Sequence, residues 1–158
     1  MESIETVIAK KSDLPAAQQF YKSRGYGGAP ITSSDFVVLA KHSDEIVGIG
    51  RLCQEQGQLW LRGMQIKPEL QRLGIGTRIL QQLDHEIGVH SCCCLPYSHL
   101  VSFYRQAAFE PVIEDLPSAL ATRLAAYLTR GLDVIAMIRP PQSRPNNSFK
   151  PTPLRGAA

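Results

Sequence analysis

The sequence lacks long apolar runs, a strong excess of one charge, and an apolar stretch near its start. Without the ~18–20 consecutive apolar residues that cross a bilayer, no membrane partner is expected. Residues 1–15 lack the ~7–15-residue apolar stretch of a secretory signal, which predicts a cytoplasmic location. Four of the 17 basic residues follow Ile138, leaving 13 basic and 14 acidic residues before that point. Because a nucleic-acid binder concentrates positive charge on its folded surface, no nucleic-acid partner is expected.

The sequence also lacks cysteine pairs at metal-binding spacing. Its four cysteines are Cys53 and the consecutive Cys92, Cys93 and Cys94, with no CxxC pair and no histidine at zinc-finger distance. Neighbouring cysteines in an extended segment point to opposite faces and do not easily form disulfides with one another. We therefore predict buried thiols on a strand in a reducing compartment, and no metal.

What is present is sufficient for one folded domain, since 44% of the 158 residues are apolar. Three β-favouring runs lie close together and predict an antiparallel meander, after which strands and helices alternate. The last of these runs, the next helix and the following strand form a βαβ unit with parallel strands, so we predict an α+β fold on a mixed sheet. The predicted strands are 5–9, 36–40, 46–53, 58–66, 91–95, 111–113 and 133–138, and the predicted helices are one beginning near Ser12 or Asp13 and those over 74–88, 98–108 and 117–130.

The composition changes near the C-terminus. Residues 139–158 contain five prolines among Asn and Ser, and too few apolar residues to order the segment. We predict a domain over 1–138 and a disordered tail over 139–158. The ending NNSFKPTPLRGAA resembles those of bacterial proteins carried on mobile gene cassettes.

The most informative segment is 61–83, where a strand leads through a short loop into a helix whose entry contains Gly74 and Gly76. The first backbone N–H groups of a helix lack intrahelical acceptors and carry partial positive charge, and glycine lets an anion approach them. The segment 73–77 is therefore predicted to cradle a phosphate or pyrophosphate. Polar side chains that can contribute are those of Arg72, Thr77 and Arg78.

Two well-known phosphate loops do not fit this segment. A Walker loop needs a lysine directly after Gly76, and the dinucleotide fingerprint needs a third glycine where Ile79 stands. A tight strand-to-helix turn without any ligand remains an alternative at this point.

Two motifs resemble the GNAT acetyltransferase superfamily. The run Gln71-Arg72-Leu73-Gly74-Ile75-Gly76 fits the family pattern Q/R-x-x-G-x-G/A, between an apolar strand and an amphipathic helix. Residues 101–111, VSFYRQAAFEP, resemble the family's FY-x-x-x-GF helix end, and the order of elements over 1–138 is similar as well. The resemblance implies a mostly antiparallel sheet flanked by helices, in which a splayed parallel strand pair opens a slot for acetyl-CoA.

The resemblance also implies a role for individual residues toward acetyl-CoA, the co-substrate. Gln65 and Ile66 would offer backbone groups to the pantetheine and the acetyl carbonyl. Tyr104 matches the tyrosine that protonates the departing thiolate, the alternative being a helix aromatic packed in the core. The cofactor's pyrophosphate would be held by Gln71, Arg72, Leu73, Gly74, Ile75, Gly76 and Thr77.

The sequence departs from the family pattern at two places. Ala108 stands where the family usually has glycine before phenylalanine. No general base is evident on the strand before the glycines, whose residues on one face are Trp60, Arg62 and Met64. The attacking amine is left to lose its proton through water or to one of Glu55, His42 and His99.

Acceptor recognition rests on the same strand. Trp60 and Arg62 are predicted to contact the acceptor, with Arg62 binding a carboxylate. The alternative for Arg62 is a solvated arginine paired with an acid such as Glu55.

The function predicted from these motifs is N-acetyl transfer from acetyl-CoA to a primary amine of a small molecule or peptide, by direct attack in a ternary complex. The alternative is a catalytically degenerate CoA-binding regulatory module. A toxin-like enzyme acting on aminoacyl-tRNA is disfavoured by the near-neutral core. A homodimer is compatible with the resemblance.

Overall fold

The structure is a computed structural model that describes residues 3–146 and 149. Within these residues the chain forms seven strands and four α-helices, and short 3-10 turns precede α1, α2 and α3. In chain order the elements are β1 (Ile4–Ile8), α1 (Leu14–Ser23), β2 (Phe36–His42), β3 (Glu45–Glu55), β4 (Gln58–Ile66), α2 (Ile75–Ile87), β5 (Cys92–Cys94), α3 (Val101–Arg105), β6 (Glu110–Pro111), α4 (Ser118–Thr129) and β7 (Met137–Arg139).

The strands form one sheet in the order β1-β2-β3-β4-β5-β7-β6. The pairs β1–β2, β2–β3, β5–β7 and β6–β7 are antiparallel, whereas β4 and β5 are parallel, with Trp60 opposite Cys93. The predicted mixed, mostly antiparallel sheet with helices beside it is confirmed, and so is the parallel pair of the βαβ unit.

The chain divides into two compact units, of which the first comprises residues 3–53 and 62–83. Helix α1 covers β2 and β3 in this unit, because its apolar residues recur every three or four positions. The buried cluster contains Ala17, Phe20, Tyr21, Val37, Leu39, Ile46 and Ile49.

Helix α2 places its apolar residues on one buried face. The spacing predicted this face, and Ile75, Ile79, Leu80, Leu83 and Ile87 are all buried. Gly50 on β3 lets the helix approach closely, since a Cβ at that position would lie 3.0 Å from Cγ2 of Ile79. Among the described residues, no helix is both long and apolar enough to cross a membrane.

The second unit comprises residues 54–61 and 84–146 together with residue 149. Its core joins β4, β5 and α4 through Trp60, Cys93 and Leu120, with Ala136 beside them. All four cysteines of the chain are buried and free, as the sequence predicted for Cys53 and for the consecutive three. Cys93 donates its thiol hydrogen to the carbonyl of Leu59, with 3.4 Å between sulfur and oxygen.

Burial of the thiols makes the stability of the fold depend on pH. Burial raises the pKa of the Cys53 thiol to about 11 and that of Cys93 to about 12. Because thiols in the unfolded chain ionise near pH 8.5, this stabilisation is complete below that pH and is lost as the pH rises toward the folded pKa. Each of the two thiols should therefore cost about 2 kcal/mol of stability at pH 10 relative to pH 7. Urea unfolding of Cys53→Ala at both pH values should show a pH difference smaller by that amount, and an unchanged difference contradicts the assignment.

Several predicted boundaries shift. The predicted helix over 98–108 is a 3-10 turn, Ser98–Leu100, followed by the short α3. Ala108 ends the segment with φ +66°, a left-handed value that glycine would adopt at less cost than alanine. The predicted strand over 133–138 is the shorter β7, which includes Arg139.

The predicted tail begins too early, because Arg139 is part of the folded domain. Its side chain is fully buried and pairs with Asp84 at 3.2 Å. The guanidinium also donates to three backbone carbonyls, and Asn146 donates to the same Asp84 carboxylate. The sequence did not reveal this buried arginine, because one residue hardly changes the proline-rich composition of residues 139–158 from which the tail was predicted. Residues 147–148 and 150–158 of the predicted tail lie outside the described residues.

Candidate functional site

Strand β4 carries a conformational break near its end. Gly63 has φ +69°, a left-handed value that a regular strand does not contain. The simple two-residue alternation predicted for Trp60, Arg62 and Met64 therefore does not continue through this point. Gln65 and Ile66 follow the break and end the strand, both half-buried.

The chain then turns toward α2 through a 3-10 turn at Pro68–Leu70. Gln71 follows the turn, and its side-chain amide donates to the Ile66 carbonyl across 3.1 Å. This contact fixes the loop to the end of β4. Gln71 and Ile66 therefore lie together in the first unit. The family resemblance implies that both residues contact acetyl-CoA.

The entry to α2 contains two left-handed residues, Arg72 with φ +68° and Gly74 with φ +84°. The first intrahelical bond runs from the N–H of Arg78 to the Gly74 carbonyl, so the backbone N–H groups of 75–77 precede it. A Cβ placed on Gly74 would meet no atom within 4 Å. The helix N-terminus is therefore unobstructed at Gly74, and its geometry suits an anion.

The charged residues around this turn have different surroundings. Arg72 is exposed, and Leu73 beside it is 51% exposed. Arg78 instead donates to the Ile4 carbonyl of β1, with 2.8 Å between the atoms, so its charge has a structural partner. Lys67 pairs with Glu45. Arg72 is the predicted ligand that provides an exposed positive charge on the turn itself.

Tyr104 lies in α3 of the second unit and is only 5% exposed. Its ring makes edge-to-face contacts with Phe103 and Phe109, at centroid distances of 5.0 and 6.2 Å. Burial raises the pKa of Tyr104 far above its ordinary value, and nearby Cys94 adds to the shift. The hydroxyl therefore keeps its proton at neutral pH and is a weaker acid than an ordinary tyrosine.

Trp60 belongs to the core of the second unit and is 2% exposed. Its indole N–H donates to the Glu55 carbonyl at 3.3 Å, and the Arg123 guanidinium lies 4.1 Å from the ring centroid. This enclosure gives Trp60 a packing role, and a substrate contact by it stays a prediction. Arg62 is half-buried in the first unit, and its predicted carboxylate contact is likewise a prediction.

The predicted proton acceptors differ in their contacts. Glu55 pairs with Arg123 at 2.7 Å, and its predicted pairing with Arg62 stays a prediction. His42 ends β2 opposite Glu45, and exposed His99 stacks on Tyr97. The choice among water, Glu55 and the two histidines stays open.

Sequence reasoning missed a buried polar cluster in the first unit. Arg51 is 1% exposed and pairs with Asp35 at 2.8 Å. It lies beside the stacked rings of Tyr21 and Tyr26, whose centroids are 4.3 Å apart. The available signal was a lone arginine inside the apolar run of β3, since such a charge is buried only with a partner.

Comparison with known proteins gives a consistent result. The family model described as the acetyltransferase (GNAT) domain matches residues 33–111. No curated protein sequence matches the chain. Many solved structures do match, at low sequence identity, and their likeness shows the fold.

Three of these structures illustrate the likeness. An acyl-CoA N-acyltransferase from Pseudomonas aeruginosa is 14% identical with a TM-score of 0.64, covering 87% of this chain and 99% of that one. The ribosomal-protein-S18-alanine N-acetyltransferase from Escherichia coli is 16% identical with a TM-score of 0.61, covering 94% and 100%. N-acetylglutamate synthase from Neisseria gonorrhoeae, solved with coenzyme A and N-acetyl-glutamate, is 16% identical with a TM-score of 0.59, covering 93% of this chain and 36% of that one.

The matched family segment runs from before β2 through β6 and includes the glycine turn and Tyr104. It spans half of the chain, and the sheet order and the solved relatives agree with it. The chain belongs to the GNAT acetyltransferase superfamily.

Proposed function

We propose that the protein is an N-acetyltransferase that moves the acetyl group of acetyl-CoA to a primary amine of a small molecule or peptide. The observation that carries this proposal is the entry to α2. Arg72 and Gly74 are left-handed there, and the space beside Gly74 is open. Backbone N–H groups at such an entry bind a pyrophosphate, which coenzyme A contains.

The chain's own residues divide the binding task. When bound, acetyl-CoA supplies an activated thioester carbonyl. The backbone N–H groups of Leu73, Gly74, Gly76 and Thr77 hold the pyrophosphate. Backbone groups of Gln65 and Ile66 align the pantetheine and the acetyl carbonyl. The amide of Gln71, which donates to the Ile66 carbonyl, keeps the loop and the end of β4 in register.

The proton balance assigns one role to Tyr104. The amine nitrogen forms a bond to the acetyl carbon while the carbon–sulfur bond breaks, and the sulfur leaves as a thiolate. Tyr104 donates its proton to that thiolate and regains one from solvent. The amine gives its proton to water or to one of Glu55, His42 and His99. The match of residues 101–111 to the family's helix end supports this role, whereas burial opposes it, because it raises the pKa of Tyr104 and makes the hydroxyl a weaker acid.

Turnover tests this proposal. Release of free CoA thiol would be measured with a panel of primary amines, for the wild type and for Tyr104→Phe. We expect kcat to fall about 10- to 100-fold, toward the lower end of acid–base effects because a thiolate leaves readily, with KM for acetyl-CoA nearly unchanged. Tyr127→Phe on α4 is the matched control and should keep wild-type kcat. Equal kcat in Tyr104→Phe and wild type removes Tyr104 as the acid.

The second candidate function is a regulatory module that binds CoA without catalysis. The pairing of Glu55 with Arg123 favours it, because it occupies the one carboxylate proposed as a base. Saturable acetyl-CoA binding without acetylation of any amine would support the module over the enzyme. Absence of binding would remove both.

A further inference from the structure

A tyrosine from α1 reaches the conformational break in β4. The hydroxyl of Tyr21 donates to the Gly63 carbonyl at 2.8 Å, although the two residues are 42 positions apart. Tyr21 is fully buried. Burial raises the pKa of Tyr21 far above its ordinary value, so the hydroxyl remains a donor at any physiological pH.

The contact depends on glycine at position 63. A Cβ on Gly63 would lie 2.1 Å from the Tyr21 hydroxyl oxygen, so no larger residue fits without displacing the ring. The left-handed φ of Gly63 is also a value that other residues adopt only with strain. A break of this kind takes a backbone carbonyl out of the regular ladder, and the Tyr21 hydroxyl provides the donor that it needs.

The Tyr21 ring is fixed by its neighbours. Tyr26 stacks on it at 4.3 Å, and the Arg51 guanidinium lies 5.3 Å from its centroid. Arg51 is in turn held by Asp35 and by the Pro30 carbonyl. A buried ring that is stacked by Tyr26 and contacted by Arg51 does not change rotamer freely, which keeps its hydroxyl on the Gly63 carbonyl.

We propose that Tyr21 is a positioning residue for the acetyl group: by holding the Gly63 carbonyl it sets the direction of the strand end beyond the break, which contains Gln65 and Ile66. This inference rests on the proposed function, in which the backbone of Gln65 and Ile66 aligns the thioester carbonyl. Tyr21 itself contacts neither substrate. Because hydrogen-bond strength depends steeply on angle, a small rotation at Gly63 weakens the alignment while the pyrophosphate turn stays intact.

The test uses acetyl-CoA carrying carbon-13 at the acetyl carbonyl, so no acceptor is required. A backbone donor that polarises the carbonyl displaces its NMR signal relative to free acetyl-CoA. Tyr21→Phe keeps the ring and removes the hydroxyl. We expect this variant to lose about half or more of the displacement, while its Kd for unacetylated CoA stays within about threefold of wild type. Tyr26→Phe, which removes the hydroxyl of the stacked partner, should keep the displacement.

Each result has one meaning. An unchanged displacement in Tyr21→Phe overturns the inference and leaves the proposed function standing. Equal weakening of CoA and acetyl-CoA, with a lower Tm and an unchanged signal in the bound fraction, shows a purely structural tyrosine and also overturns it. Failure of the wild type to bind either ligand overturns the proposed function itself, and the inference with it.

Discussion

Gly74→Glu should weaken acetyl-CoA binding by about a thousandfold, which corresponds to roughly 4 kcal/mol. The side chain would start in the open space beside Gly74, where we propose that the pyrophosphate lies. Its carboxylate would repel the phosphates and would accept hydrogen bonds from the same helix N–H groups, as an N-cap residue does. Titration calorimetry with acetyl-CoA measures the loss directly.

A matched variant separates this effect from backbone strain. Gly57 in the β3–β4 turn has φ +73°, and a Cβ there also meets no atom within 4 Å. Gly57→Glu should lower the free energy of unfolding by about 1–2 kcal/mol, since, like Gly74→Glu, it forces a left-handed glutamate. It should leave acetyl-CoA affinity unchanged. Binding by Gly74→Glu within about tenfold of wild type would mean that the turn holds no phosphate.

Arg139→Met should lower the free energy of unfolding by about 3–5 kcal/mol. The substitution keeps much of the side-chain volume but leaves the buried Asp84 carboxylate without its cation. It also removes the donor for the carbonyls of Gly88, His90 and Ala107. In a chain of this size the Tm should fall by roughly 10 °C. Urea unfolding monitored by circular dichroism gives the free energy.

Two comparisons make the Arg139 result specific. The ion pair between Arg105 and Glu110 is exposed, with 51% and 62% of the side chains accessible, so Arg105→Met should cost less than about 1 kcal/mol. Arg139→Lys keeps the charge but loses the planar fork, and should be intermediate. If Arg139→Met is no more harmful than Arg105→Met, the buried pair does not anchor the C-terminal segment.

The parts of the fold that follow from local spacing could be predicted from the sequence. The buried residues of α2 recur every three or four positions from Ile75 to Ile87, so the same pattern predicts both the helix and the face that it buries. The parallel pairing of β4 with β5 follows from the crossover length between them. The glycine turn could be identified because backbone N–H groups and glycines within one short segment are enough to bind a phosphate.

Features that depend on distant partners could not be predicted. Gly63 in a strand gives no sign of its left-handed φ, nor of the Tyr21 hydroxyl, 42 residues away, that donates to its carbonyl. Arg51 and Arg139 can be buried because they form ion pairs with Asp35 and Asp84. Arginines are otherwise mostly exposed, so sequence patterns assign them to the surface.

The reactivity of the buried cysteines can be used to measure local unfolding of the protein. All four thiols are enclosed, and their raised pKa values leave almost no thiolate, the form that attacks alkylating reagents. Three of them form β5 in the middle of the sheet, and Cys53 belongs to the other unit. Alkylation of the native chain thus requires a strand to leave the sheet, and the relative labelling rates at Cys53 and β5 report how often each unit opens.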